Sequence, residues 1–244
     1  MSYIKVKGIV TGGNDIGDAD RMITILSAEE GLIHASAKGA RRLKNKLAGA
    51  TQLFCYGEFI LYPGRDIYTI YHCDIIESFP GLSNSPEKFT YGVHLIKIAN
   101  DVVQEGQRAD EVLSLLLNSM HMLNKELKNP VLISRIFELR ILCLSGFMPV
   151  INFCGGCGKE GTRFSVNANG LVCDTCASIQ NDAVEMNQGT LSAIQHICSS
   201  DKSRLFSFEV SEDVQKDLNL LLPPYLEKCF EKKYDALDYL ELIK

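Results

Sequence analysis

Apolar and polar positions alternate with a short period through the first 80 residues. Ile4 to Thr11 opens with branched residues, and a turn-rich stretch containing Gly12, Gly13, Asn14 and Gly17 follows. From Arg21 to Ser27, Met22, Thr24 and Leu26 fall on one face and Ile23 and Ile25 on the other. Glu30-Gly31 reads as a tight turn, Leu32 to Ala37 as a short strand and Leu53 to Tyr62 as a longer one. Pro63-Gly64 then turns the chain into a strand from Asp66 to Ile76. Short strands at regular spacing, divided by glycine turns, predict a small barrel. Five of them in about 75 residues fit an OB-type barrel, a frequent platform for nucleic acids.

From Pro86 the period becomes helical. Tyr91, Leu95, Ile98 and Val102 step by four, three and four, which marks one helix face. Val112, Leu115, Leu116, Met120, Leu123 and Leu127 form a second stripe. Asn129-Pro130 predicts a capped third helix with proline at its first position. That helix is apolar almost all round (Ile133, Ile136, Phe137, Leu139, Ile141, Leu142, Leu144), so it is expected to be central and buried. Gly146 ends it and Pro149 prevents continuation. Later come a short helix near Thr190 to Cys198 and an amphipathic pair broken by Pro223-Pro224. The Pro/Gly/Ser-rich stretch 79–86, FPGLSNSP, reads as a link. The fold expected is therefore α+β: an N-terminal barrel over 1–80, then a mainly helical domain over 81–244 carrying an inserted hairpin at 150–180.

Composition narrows the class. With 46% hydrophobic and 23% charged residues the chain can bury a core. It has no run of about 18 apolar residues to span a membrane. The opening MSYIKVKGIV lacks a signal-peptide core, which makes the cytoplasm the expected location. The formal net charge is −5, which argues against a protein that simply coats polyanions. Charge is distributed unevenly, however. KGARRLKNK, residues 38–46, holds five cations and no acid; with it, residues 1–80 hold nine basic and nine acidic residues, and without it they would stand at −5. Local concentration steers partners; the total does not.

Residues 154–176 read CGGCGKEGTRFSVNANGLVCDTC: two C-x2-C pairs separated by fifteen residues. Four thiolates at tetrahedral corners are what zinc takes in a structural site, and the spacing is a zinc spacing. Asn169-Gly170 predicts the hairpin turn that brings the second pair back. Cys154, Cys157, Cys173 and Cys176 are therefore the expected ligands of one zinc. A four-thiolate shell leaves no position for a catalytic water. Gly156, Gly158 and Gly161 spell G-x-G-x-x-G, but the motif binds dinucleotides only between a strand and a helix. The sequence contains no phosphate loop, no G-x-S-x-G elbow and no H-E-x-x-H, so no catalytic centre is expected. The other five cysteines (Cys55, Cys73, Cys143, Cys198, Cys229) lie in mostly apolar surroundings and read as small buried hydrophobes.

Lys38, Arg41, Arg42, Lys44 and Lys46 lie between two predicted strands, where a loop projects charge towards backbone phosphates. Phe54, Tyr56, Phe59, Tyr62, Tyr68 and Tyr71 follow on the neighbouring strands. Aromatic rings beside cations are a platform for single strands, although aromatics on strands also build cores. Arg21 sits among acids and reads as paired.

The run GIVTGGNDIGDADRMITILSAEEGLIHASAKGARRLKNKL, the later GEFILY and FELRILCLSGFMP, and the cysteine hairpin resemble the bacterial RecO family of DNA repair and recombination mediators. The resemblance covers most of residues 4–176. It implies an N-terminal OB-fold, a helical C-terminal domain and a zinc loop. It also implies binding of single- and double-stranded DNA, annealing of complementary strands, and loading of recombinase onto strands coated by single-stranded-DNA-binding protein. No nucleotide is hydrolysed, and the partners are RecR and often RecF. The five cations fall on the family's basic AKGARR segment and its continuation. Asn45 stands where a small hydroxyl residue is common. The rival reading is a zinc-ribbon scaffold or regulator that binds protein partners, with the basic loop incidental.

Overall fold

The structure, a computed structural model, describes residues 3–65 and 67–242. Asp66, the expected first residue of the fifth strand, lies outside them, as do Met1 and Ser2. Two compact units form: residues 1–127 with 236–244, and residues 128–235.

The first unit begins with β1 (Ile4–Ile16), β2 (Asp20–Ser27), β3 (Gly31–Ala37), the short helix α1 (Leu47–Ala50), β4 (Tyr56–Pro63) and β5 (Tyr68–Glu77). The strands close a barrel in the order β1-β2-β3-β5-β4. Closure rests on the parallel pairing of β3 with β5, Ala35 against Tyr68 and Ser36 against Thr69. β1 serves two partners. Ile4–Ile9 pair with β4, and Gly8–Ile16 pair with β2 across an irregularity between Val10 and Gly12. Gly12, Gly13 and Asn14, expected as turn, are therefore strand, and the turn lies at 17–19. Gly13 has a packing reason: a Cβ there would stand 3.0 Å from the Met22 carbonyl oxygen. β4 starts three residues later than expected, because Phe54 adopts φ 68° in a turn. Val6, Val10, Ile23, Ile25, Ile33, Phe59, Leu61 and Ile70 fill the interior, and Leu47 and Ala50 of α1 complete it.

The same unit continues with α2 (Pro80–Ser83), α3 (Pro86–Val102) and α4 (Asp110–Asn124), and ends with α9 (Asp238–Leu242). Ser85 caps α3 by accepting from Lys88 N, with Pro86 at the first position. Most positions of the predicted stripes form its core: Tyr91, Leu95 and Ile98 on α3, and Leu115, Leu116, Met120 and Leu123 on α4 are buried, whereas Leu127, expected in the second stripe, lies past the end of α4 and is 56% exposed. The β2–β3 turn is bonded to the α3–α4 connection through Leu32 N to Gln104 O and Gly106 N to Glu30 O.

The second unit contains α5 (Pro130–Leu144), β6 (Arg163–Ser165), β7 (Gly170–Val172), α6 (Asp174–Ala177), β8 (Val184–Glu185), α7 (Gln188–Ser199) and α8 (Glu212–Phe230). Asn129 caps α5, which is buried on nearly all sides and packs against α7 and α8. α8 is one helix and not a pair: it runs through Pro223 and Pro224. Proline removes backbone bonds there, but Leu218, Leu221, Leu222, Tyr225 and Leu226 all bury along one side, and that packing holds the turn in place.

Candidate functional site

The cysteine quartet is assembled by a knuckle and a hairpin. Gly158 N donates to Cys154 O (2.8 Å), closing the first C-x2-C turn, and Gly158 takes φ 75°, a conformation that suits glycine. β6 and β7 pair in register from Arg163–Val172 to Ser165–Gly170, so Cys173 emerges directly from β7. It precedes α6, which carries Cys176. The turn at 166–169 is clamped by Lys228 Nζ, which donates to Val166 O (2.6 Å), Asn167 O (3.0 Å) and Asn169 Oδ1 (2.8 Å). Arg163 Nε bonds Asp174 Oδ1 at 2.9 Å, tying β6 to α6.

The result is four sulfurs all within 4.8 Å of one another, with Cys157 Sγ 3.6 Å from Cys173 Sγ. Thiolates about 2.3 Å from a tetrahedral metal lie about 3.8 Å apart, so the cluster has the dimensions of a metal-binding shell. Its electrostatics agree. The backbone N–H of Cys173 is the main influence holding the Cys154 thiol down at about 6, and its contact with Cys154 is the main influence pushing Cys176 up to about 12. Four sulfurs this close resist ionising together unless a cation neutralises them. The G-x-G-x-x-G glycines serve this knuckle, and Gly161 leads into β6 instead of a helix.

All five cations of the basic segment, Lys38, Arg41, Arg42, Lys44 and Lys46, are exposed on the loop between β3 and α1. The loop is built from successive turns. Arg42 N donates to Gly39 O (3.0 Å) and Asn45 N to Arg42 O (2.9 Å). Asn45 is spent inside the loop: its Nδ2 donates to Lys38 O (3.0 Å) and its Oδ1 accepts from Leu47 N (2.8 Å). Arg41 also turns inward, its Nη1 donating to Gly17 O at 2.9 Å. Arg21 is paired with Asp15 at 3.2 Å.

The aromatic residues divide. Phe54 and Phe59 are buried, and Tyr56 and Tyr68 are half-buried. Tyr62 and Tyr71 stand on the outer surface, edge to face with ring centroids 5.6 Å apart. Tyr3 extends this row, 6.2 Å from Tyr62. Tyr3 was not singled out in the sequence. It lies one residue before the Ile4–Leu61 pair, which sets it beside Tyr62 once the β1–β4 register is known. Among the described residues no helix is long and apolar enough to cross a membrane.

Comparison with known proteins agrees along the whole chain. Residues 1–79 match the family pattern described as "Recombination protein O N terminal", and residues 83–237 match "Recombination protein O C terminal". A protein of Acetivibrio thermocellus named DNA repair protein RecO is 42% identical, covering 100% of this chain and 98% of that protein. Proteins of the same name are 31% identical in Caldicellulosiruptor saccharolyticus, covering both chains in full, and 29% identical in Symbiobacterium thermophilum, covering 100% of this chain and 99% of the relative.

Proposed function

The chain belongs to the recombination protein O (RecO) family of DNA repair proteins, and from that premise we propose that it binds single- and double-stranded DNA, anneals complementary strands and helps load recombinase onto strands coated by single-stranded-DNA-binding protein. The observation that carries this reading is the exposed cationic loop on the barrel, in a chain whose overall charge is −5. An annealer must bring two polyanions together, so it needs concentrated positive charge at its working surface, whatever the net charge of the molecule. Lys38, Arg41, Arg42, Lys44 and Lys46 provide it. Phosphate contacts carry no direct base information, which suits a protein that must anneal any sequence.

Cys154, Cys157, Cys173 and Cys176 hold one zinc in this reading. A shell of four thiolates has no open position for water or substrate, so the metal organises the hairpin and takes no part in a reaction. The chain is a mediator, not an enzyme, and it works in the cytoplasm at the nucleoid with RecR and, as often in the family, RecF. The experiment is annealing of complementary oligonucleotides coated with the cognate single-stranded-DNA-binding protein, with and without ATP. Equal annealing in both supports the reading; no annealing, or a clear ATP requirement by this protein alone, sinks it.

A further inference from the structure

Two of the cysteines outside the quartet are neighbours. Cys143 stands in the last turn of α5 and Cys198 in the last turn of α7, and their Sγ atoms are 3.6 Å apart. Arg140, one turn earlier on α5, fixes this arrangement. Its Nη1 donates to Ile197 O (3.3 Å) and Cys198 O (2.8 Å), pinning the end of α7 to α5. A disulfide has its sulfurs about 2.05 Å apart, so closure takes about 1.5 Å of sulfur travel. Cys143 is half-buried while Cys198 is only 8% exposed, so a small oxidant meets Cys143 first.

We propose that Cys143 and Cys198 form an oxidisable dithiol that closes to a disulfide on exposure to hydrogen peroxide. Cys143 gives up its proton and its thiolate attacks one peroxide oxygen. The O–O bond breaks, and the departing hydroxide takes up a proton to leave as water. Cys143 is then a sulfenic acid. The Cys198 sulfur attacks the Cys143 sulfur, the S–O bond breaks, and the oxygen leaves as a second water carrying the Cys198 proton. Two thiols and one peroxide become one disulfide and two waters; the sulfurs lose two electrons and the peroxide gains them. Local electrostatics divide the roles in the same sense. Contact with Cys198 is the main influence lowering the Cys143 thiol, with Arg140 assisting and burial opposing. Cys198 is pushed up, chiefly by Cys143. The more accessible sulfur attacks the oxidant and the covered one resolves.

The position has a consequence for the metal hairpin. The whole segment carrying Cys154, Cys157, Cys173 and Cys176 leaves α5 after Leu144 and returns into α7 at Gln188. A bridge between the two helices would close the base of that segment covalently and leave its four thiols free to keep their metal. This does not depend on what the chain binds.

The test treats the full-length, zinc-loaded protein with rising hydrogen peroxide and follows it in two ways. Digestion without reductant and mass spectrometry detect the linked Cys143–Cys198 peptides, two hydrogens lighter than their sum and separable by dithiothreitol. A chromogenic chelator reports released zinc. The expected result is the linked peptide at peroxide doses that release no zinc. In Cys198→Ser the sulfenic acid should accumulate on Cys143 and be trapped by dimedone. Oxidation of the quartet with zinc release before any linkage overturns the proposal, as does conversion of Cys143 to the sulfinic acid with no linked peptide. The wild-type linkage decides by itself if the serine variant fails to fold.

Discussion

Arg41 and Asp15 face each other across the space between the cationic loop and the β1–β2 hairpin, with Arg41 Nε 3.2 Å from Asp15 Oδ2. The other oxygen of the same carboxylate takes Arg21 at 3.2 Å. Arg41 N also donates to Ala19 O at 3.0 Å, so backbone and side chain hold the loop against one hairpin. One of the five cations is thus engaged within the protein. Among the described residues, Lys38, Arg42, Lys44 and Lys46 have no ion-pair partner.

That difference predicts unequal effects on DNA binding. Each phosphate contact on a single strand contributes a slope of roughly −0.7 to log K against log salt. Arg42→Ala with Lys44→Ala should weaken binding and flatten the line by roughly 1.4, at that slope per contact. Arg41→Ala should alter the slope less than Arg42→Ala, since its guanidinium already has a carboxylate. Salt titrations of the variants on a mixed-sequence oligonucleotide, with melting curves as control, check both. If affinity and slope stay unchanged in the folded double variant, the loop is only a solvated face.

Gly31 supports the packing of the barrel unit. It takes φ 63°, and a Cβ there would stand 2.0 Å from Gln104 O and 2.6 Å from Gln107 O. Gly31→Ala therefore adds a left-handed penalty of roughly 1–2 kcal/mol to a clash that pushes the 104–107 backbone aside. Leu32 N would lose its bond to Gln104 O. A loss of at least about 2 kcal/mol in urea unfolding is expected. A change within about 0.5 kcal/mol, as for ordinary surface substitutions, would show that the turn yields freely.

The sequence made the Gly31 turn visible but not its second role, because the Gln104 carbonyl is 73 positions away. The same division runs through the fold. Strand alternation and the stripes on α3, α4 and α5 follow from local period, and the quartet follows from spacing. Three features were not legible. α1 is only four residues long, too short to show a period, and it is placed by Leu47 and Ala50 entering the barrel. Gly12–Asn14 look like turn residues, yet they are strand because β1 must bend between two partners. Pro223-Pro224 breaks helices in isolation, whereas here the buried side chains along α8 outweigh the lost backbone bonds. At the candidate site, the exposure of the basic loop was legible. The inward turn of Arg41 and Asn45, the row Tyr3-Tyr62-Tyr71 and the pairing of Cys143 with Cys198 were not, since each depends on tertiary register.

Glu138 predicts a large but repairable loss. It is fully buried, accepts from Ser134 Oγ at 2.9 Å and pairs with Arg135. Arg135 in turn donates from Nε to Asn219 Oδ1 at 3.1 Å, linking α5 to α8. Removing one partner of a buried pair leaves an uncompensated charge, at about 3–5 kcal/mol. Arg135→Ala should lose that much stability. Replacing the pair together, Arg135→Leu with Glu138→Leu, should recover most of it, because a well-packed apolar pair no longer has charges to desolvate. Chemical denaturation of the three proteins checks this, and a double variant as unstable as the single one would show that the network does more than satisfy itself.

Cys55 and Cys73 predict an alkaline limit for the barrel. Burial pushes their thiols up to about 11 and about 12, from an ordinary 9.0. A group whose pKa is raised by folding contributes stability that is complete below the unfolded value and lost as pH rises through the folded one. The contribution should therefore decline from about pH 9 to pH 12. Stability measured over that range should fall more steeply in the wild type than in Cys55→Ala with Cys73→Ala, whatever their difference at pH 7. Parallel slopes would show that other groups set the limit.

Metal removal should act on one unit and spare the other. Cys154, Cys157, Cys173 and Cys176 all belong to residues 128–235, while the cationic loop belongs to the unit built on residues 1–127. Phe164, Leu171 and Val172 anchor the hairpin strands, Phe164 edge to face on Tyr225 at 5.7 Å, and Lys228 clamps the turn, whereas residues 155–160 of the first cysteine knuckle are exposed. The order of the knuckle should therefore depend on the metal, because ligand binding and folding of such a segment are one equilibrium. Elemental analysis should find one zinc per chain. Cys173→Ser should lose it, lower the melting temperature and expose the hairpin to protease between Lys159 and Asp182. Binding of a short single-stranded oligonucleotide should keep its wild-type salt slope, since no phosphate contact of the loop has been removed. Calorimetry, limited proteolysis and the same salt titration test the three parts. Unchanged melting in a metal-free Cys173→Ser protein would reject the structural role. A flattened salt slope would place phosphate contacts on the hairpin as well as on the loop.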